Sequence, residues 1–156
     1  MGNIDLFSIE KAELDFTSFK NRLVKAKEIF NLKEISKNTA YEFIKDNHYL
    51  GSAKFFAKFS YGLYSKGVLV GVSTYSNPQG ISTLKGWFSV DNKNQDFLEL
   101  SRLCVLPNLN GTNATSYLLS NSMKKLKSNK VKAVITLADN NRHSGSIYQV
   151  CNFKYY

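Results

Sequence analysis

Residues 97–128 constrain the fold more than any other stretch. Phe97–Leu106 reads as a strand that becomes nearly continuous in apolar character at its end. The segment PNLNGTNAT breaks that pattern, and the spacing then predicts a helix over about 113–128. Leu119, Met123 and Leu126 share one side of it, with Ala114 and Leu118 nearby. The first four N–H groups of a helix have no partner within it. With the helix dipole they make a ready anion site. Asn110-Gly111-Thr112-Asn113-Ala114 suits one, because small residues let a pyrophosphate approach the backbone. An ordinary capped turn is the alternative reading.

The rest of the chain supplies layers around this unit. Phe16, Phe19, Leu23, Ala26 and Phe30 predict a helix over 16–30, with Asp15 as its N-cap. A short strand is expected at Leu32–Ile35. Ser36 or Asn38 then caps a helix with Ala40, Phe43 and Ile44 on one face, ending near His48. Residues 55–76 read as a hairpin turning at Ser65-Lys66-Gly67. Further strands are expected at Leu84–Val90, Val131–Leu137 and Asn152–Tyr156, with a turn at Asp139–Arg142 and a helix over 143–150. This order predicts one α+β domain of 156 residues, a mixed and mainly antiparallel sheet flanked by helices.

Charge and composition narrow the partners. The net charge is +9, which favours nucleic acid, acidic membranes or polyanionic cofactors. Lys124, Lys125, Lys127, Lys130 and Lys132 form the densest cluster, readable as a phosphate-binding patch or as a solvated helix end. No stretch approaches the roughly 18 apolar residues of a membrane span. The N-terminus has early acids and no long apolar run, unlike a secretory signal, and Leu6 stands where a myristoylation signal needs Ser or Thr. Cys104 and Cys151 sit in the apolar strings LCVL and VCNF and read as buried thiols in a reducing compartment. A cytoplasmic protein without a membrane partner is expected.

Two resemblances follow from the motifs. Val105-Leu106-Pro107, the loop after it and Ser116-Tyr117-Leu118-Leu119 resemble the cofactor segment of the GNAT acetyltransferases. Asn141 to Phe153 resembles that family's N-x-x-A-x-x-L-Y-x-x-x-G-F pattern, with Ser144, Ile147 and Asn152 replacing its alanine, leucine and glycine. The loop departs from the family, with Asn110, Asn113 and Thr115 where Arg or Gln, Gly, and Gly or Ala are usual. The family's final strand would lie beyond Tyr156. More narrowly, FIKDNHYLG, FSYGLY, ELSRL, NATSYLLS and ITLADNNRHSGSIYQVCNFKYY resemble the phage Mom-type DNA modification proteins, a divergent GNAT branch.

The Mom-type resemblance implies an enzyme that converts adenine in double-stranded DNA to N6-carbamoylmethyladenine and shields phage DNA from restriction in a bacterial cytoplasm. It implies acetyl-CoA as cofactor, held by Arg102, Leu103, Cys104, Val105, Asn110, Gly111, Thr112, Asn113, Ala114, Ser116 and Asn141. It implies His48, Tyr49, Asp139 and Tyr148 as the catalytic set and, with imidazole, carboxylate and phenolate oxygens, as candidate iron ligands.

Other readings stay open residue by residue. His48 also fits a helix C-cap, Tyr148 a core aromatic, and Asp139 the N-cap of the next helix. Arg102 also fits a structural bridge to Glu99, and strand alternation would point only one of Ser101 and Arg102 at the site. Tyr75 and Trp87 are candidates to stack a displaced base, or core residues. A conventional N-acetyltransferase acting on a small-molecule or protein amine is the alternative enzyme. A non-catalytic DNA-binding module is the other class.

Overall fold

The computed structural model describes residues 26–51, 54–79, 96–110, 112–138 and 145–154. In chain order they form α1 (Ala26–Ile29), β1 (Phe30–Glu34), α2 (Lys37–Asn47), β2 (Phe59–Ser65), β3 (Val68–Ser76), β4 (Phe97–Val105), a 3-10 turn (Pro107–Leu109), α3 (Ala114–Ser128), β5 (Ala133–Ile135) and α4 (Ser146–Val150). The strands make one sheet of order β1-β2-β3-β4-β5. Its pairs are antiparallel except β4 with β5, which are parallel. Among the described residues no helix is long and apolar enough to cross a membrane.

Local chemistry explains the elements. The Ser36 hydroxyl accepts the Thr39 amide at 3.0 Å and starts α2. The β2–β3 hairpin turns on Lys66 and Gly67, with φ of 49° and 84°. A two-residue loop with both φ positive matches the twist of the strands it joins. Gly71 on β3 lets α3 approach: a Cβ there would meet Val105 Cγ2 at 3.0 Å and Leu118 Cδ2 at 3.3 Å. Helix α2 packs on β2, β3 and β4, and α3 lies across β1 to β4. Ile44, Leu63, Val72, Leu118 and Leu119 are fully buried between these layers. Cys104 and Cys151 are buried, as expected.

Two expectations are corrected. Within the predicted helix 16–30, residues 16–25 lie outside the described residues, Ala26–Ile29 is helical, and Phe30 already belongs to β1. Phe30 pairs with Ser65 across the sheet, and its buried side chain serves the strand. Residues 152–154 of the expected strand Asn152–Tyr156 are turn and irregular chain instead. They close α4: Asn152 adopts a left-handed φ of 65°, and the Asn152 and Phe153 amides donate to Gln149 O and Tyr148 O, each at 2.9 Å. This is the Schellman arrangement, in which a left-handed residue satisfies the last carbonyls of a helix. The expected strand Leu84–Val90 lies outside the described residues.

The sheet opens where β4 outruns β5. Pairing stops at Glu99 with Ile135, and β4 continues to Val105 without a β5 partner.

Candidate functional site

A cavity of about 920 Å³ occupies that opening. Its walls are Glu99–Val105 of β4, Asn47–Leu50 at the end of α2, Thr136 and Leu137 after β5, and Gly145–Tyr148 at the start of α4. Asn110, Thr112 and Thr115 close it at the start of α3. A second hollow of about 1110 Å³ runs below the end of α3 and along β5. It shares only Thr136, Leu137 and Tyr148 with the first.

A break in strand register shapes the wall. Thr74 pairs with Arg102 and Tyr75 with Leu100, so Ser101 has no residue opposite it. Such a bulge re-aims side chains beside it. Ser101 and Arg102 both line the cavity, as does every residue from Glu99 to Val105, where simple alternation would admit every second one. The Ser101 hydroxyl donates to Ser76 Oγ at 2.7 Å and Phe56 O at 3.3 Å. Arg102 Nη1 donates to Ser101 O at 2.7 Å, and its guanidinium carbon stands 5.6 Å from the Phe55 ring centre. Its buried Nε has no partner among the described residues. The bridge to Glu99 is not formed: Glu99 Oε2 takes the Gln79 amide at 3.0 Å.

Three of the four expected catalytic residues meet here. His48, Tyr49 and Tyr148 line the one cavity. Asp139 lies outside the described residues, as do Gly111 and Asn141. His48 is also the C-cap of α2, with its amide on Ile44 O at 2.8 Å, so the structural reading and the cavity reading hold together. Its Nδ1 accepts the Leu50 amide at 3.1 Å, which leaves the proton of the neutral ring on Nε2. The His48 and Tyr49 rings stack at 4.4 Å. Tyr148 is half-buried, and its ring meets Phe153 at 5.6 Å.

Asp139, one of the four candidate iron ligands, lies outside the described residues. No three His, Cys, Asp or Glu side chains among them come together. The neutral His48 ring carries its proton on the nitrogen a metal would need.

The expected cofactor residues divide by position. Arg102, Leu103, Cys104, Val105, Asn110 and Thr112 line the cavity, whereas Asn113, Ala114 and Ser116 do not. Ala114 is fully buried, and its amide already takes Thr112 Oγ1 at 3.2 Å. The Ser116 hydroxyl turns back to Asn113 O at 3.0 Å. Thr115 faces the cavity instead, a residue the loop pattern contained but reasoning from the first turn passed over. The Asn113 and Ser116 amides have no acceptor among the described residues, consistent with an open helix N-terminus.

The base-stacking candidates are corrected. Tyr75 is fully buried, and its hydroxyl bonds to Ser122 Oγ at 2.5 Å. Burial is the main cause that pushes its phenol up to about 12. It cannot meet a ligand from solvent. Trp87 lies outside the described residues. The lysines 124, 125, 127, 130 and 132 are all exposed, at and beyond the far end of α3. A 15-residue helix is roughly 22 Å long, which separates them from the cavity.

The profile of the Mom protein family matches residues 29–156. A comparison with curated proteins finds no match. Solved structures share the fold. The IAA acetyltransferase from Bacillus cereus ATCC 14579 aligns at TM-score 0.54 and 12% identity, over 78% of this chain and 75% of that one. The aminoglycoside acetyltransferase AAC(6')-Iy, bound to a bisubstrate analogue of coenzyme A, aligns at 0.57 and 14%, over 81% and 91%. An N-acetyltransferase from Staphylococcus aureus Mu50 aligns at 0.54 and 14%, over 80% and 83%.

Proposed function

The chain belongs to the Mom protein family, and from that premise we propose an acyl-coenzyme A-dependent enzyme that acts on adenine in double-stranded DNA. Its product is N6-carbamoylmethyladenine, which shields phage DNA from restriction. The observation that carries this reading is the cavity at the parting of β4 and β5, where the start of α3 meets His48, Tyr49, Arg102 and Tyr148. Structural neighbours bound to coenzyme A or its bisubstrate analogue support a cofactor of that class.

When bound, acyl-coenzyme A supplies an acyl group activated as a thioester. Acyl transfer alone does not yield a carbamoylmethyl group, whose amide nitrogen comes from a further donor, and the chain's own residues bind and orient the reactants. The Thr115 side chain and the positive end of the α3 dipole hold pyrophosphate oxygens. Arg102, unpaired with any carboxylate among the described residues, supplies fixed positive charge at the wall. The Tyr148 hydroxyl is the proton donor within reach of the departing group. His48 and Tyr49 close the acceptor side at the end of α2.

A second reading has its own support. The structural neighbours are acetyltransferases, two of them for aminoglycosides, and a conventional amine acetyltransferase would use the same cavity. Mass spectrometry of nucleosides from cells expressing the chain separates the two. Carbamoylmethylated deoxyadenosine is the expected result. Unmodified DNA together with acetylation of a soluble amine by the purified chain would overturn the DNA reading.

A further inference from the structure

Five large apolar side chains among the described residues stand open to solvent: Tyr49 at 49%, Leu50 at 42%, Phe56 at 71%, Leu137 at 76% and Val150 at 70%. Their placement is uneven. Tyr49, Leu50 and Leu137 line the candidate cavity. Phe56 stands on a strip next to the cavity wall, where Phe56 O accepts the Ser101 hydroxyl at 3.3 Å.

That strip is anchored. Phe55 is buried under Arg102, and the Lys58 amide donates to Tyr75 O at 2.6 Å. Adjacent residues thus face opposite ways, Phe55 into the protein and Phe56 out of it. One cation stands over the exposed Phe56 ring. Lys37 Nζ lies 5.9 Å from its centre, and Lys54 and Lys58 flank it in sequence, both exposed. Singly exposed apolar residues are ordinary on a protein surface, and this one is set apart by its fixed base beside the cavity wall and the cation over its ring. The three lysines specify a polyanion, and the apolar ring requires something to insert into. Duplex DNA offers both, as phosphates on either side of a stack of bases.

We propose that Phe56 is a wedge that enters the base stack, with Lys37, Lys54 and Lys58 on the neighbouring phosphates and Tyr49 and Leu50 guiding the displaced base into the cavity. This rests on the DNA reading above. A base within a duplex is out of reach of a cavity in a protein wall, so it must be turned out of the stack. An apolar side chain between base pairs lowers the cost of that step by occupying the space the base vacates.

The test uses the full chain and a duplex in which 2-aminopurine, fluorescent when unstacked, replaces adenine. The native chain is expected to raise the fluorescence at least about threefold on binding. Phe56→Ala should abolish most of that rise and weaken duplex modification roughly tenfold, the scale of one lost stacking contact. It should leave modification of single-stranded DNA unchanged, because no base then needs to be displaced. Phe56→Leu should restore most of the signal. Equal fluorescence from Phe56→Ala and the native chain would overturn the wedge while leaving the DNA reading intact. An equal loss on single and double strands would also overturn it, by placing Phe56 in the chemistry or the fold. Selective loss of binding to anionic lipid vesicles would assign the ring to a membrane surface instead. Failure of the native chain to bind any duplex would overturn the DNA reading itself, and the wedge with it.

Discussion

The Phe153 ring packs against the Tyr148 ring edge to face, with centroids 5.6 Å apart and planes at 62°. The backbone beneath fixes this contact, since the Phe153 amide donates to Tyr148 O. A closing turn of α4 therefore holds a cavity side chain in place. The turn depends on Asn152 in the left-handed region, which costs a residue with a Cβ about 1–2 kcal/mol, less for Asn. Asn152→Gly should stabilise the chain by up to about 1 kcal/mol, and Asn152→Val should destabilise it by more than that. Thermal unfolding of the two variants checks the order.

Tyr75 gives an alkaline prediction. In the folded chain it keeps its proton up to about 12, against 10.0 for an ordinary tyrosine. Between those values only the unfolded chain ionises, so its contribution is full below about pH 10, falls through pH 10 to 12, and is flat above. The total loss is on the order of 3 kcal/mol. Tyr75→Phe should flatten that decline in denaturant titrations. At neutral pH it should cost about 1 kcal/mol or less, because Ser122 Oγ still donates to Leu119 O.

Gly71→Ala tests the approach of α3 to the sheet. The added methyl would meet Val105 Cγ2 at 3.0 Å and Cys104 O and Leu118 Cδ2 at 3.3 Å. One of these is backbone and the others are packed core. A loss of about 1–3 kcal/mol is expected from chemical denaturation. Because Val105 and Cys104 line the cavity, cofactor affinity by calorimetry should fall as well.

The lysines predict which face meets DNA. Replacing Lys124, Lys125 and Lys127 with Gln should weaken binding only mildly, since they lie at the end of α3 away from the cavity. Replacing Lys54, Lys58 and Arg142 should weaken it more and reduce the salt dependence, by about one ion per lost phosphate contact. Filter binding at fixed salt, then across a salt series, distinguishes the faces. The reverse order would mean that DNA approaches the lysine end.

Local patterns in the sequence carried much of this architecture. Ser36 and the spacing of Ala40, Phe43 and Ile44 define α2 nearly to the residue. The polar loop after β4 marks the start of α3 within one residue. What escaped depends on partners distant in sequence. Nothing near Ser101 announces its bulge, which exists only relative to Thr74 and Tyr75 on another strand. Tyr75 fits either face of a strand by composition, and its burial is decided by Ser122 on α3. Phe153 fits the expected strand Asn152–Tyr156 because an apolar residue after a helix serves either purpose. At the start of α3 each residue turns about 100°, so Thr115 lines the cavity and Ser116 does not.

The short pairing of β5 carries a dynamic consequence. Three residue pairs join it to β4, and no strand borders its other edge among the described residues. Little holds that seam compared with β3, which pairs with β2 from Val68 to Tyr75 and with β4 from Gly71 to Ser76. Its amides should exchange with solvent deuterium by local opening, well before those of the central strands. Each such opening lengthens the gap between β4 and β5 at its base. The cavity can thus change its dimensions by breathing along one seam, while the frame that carries His48 and Arg102 stays rigid.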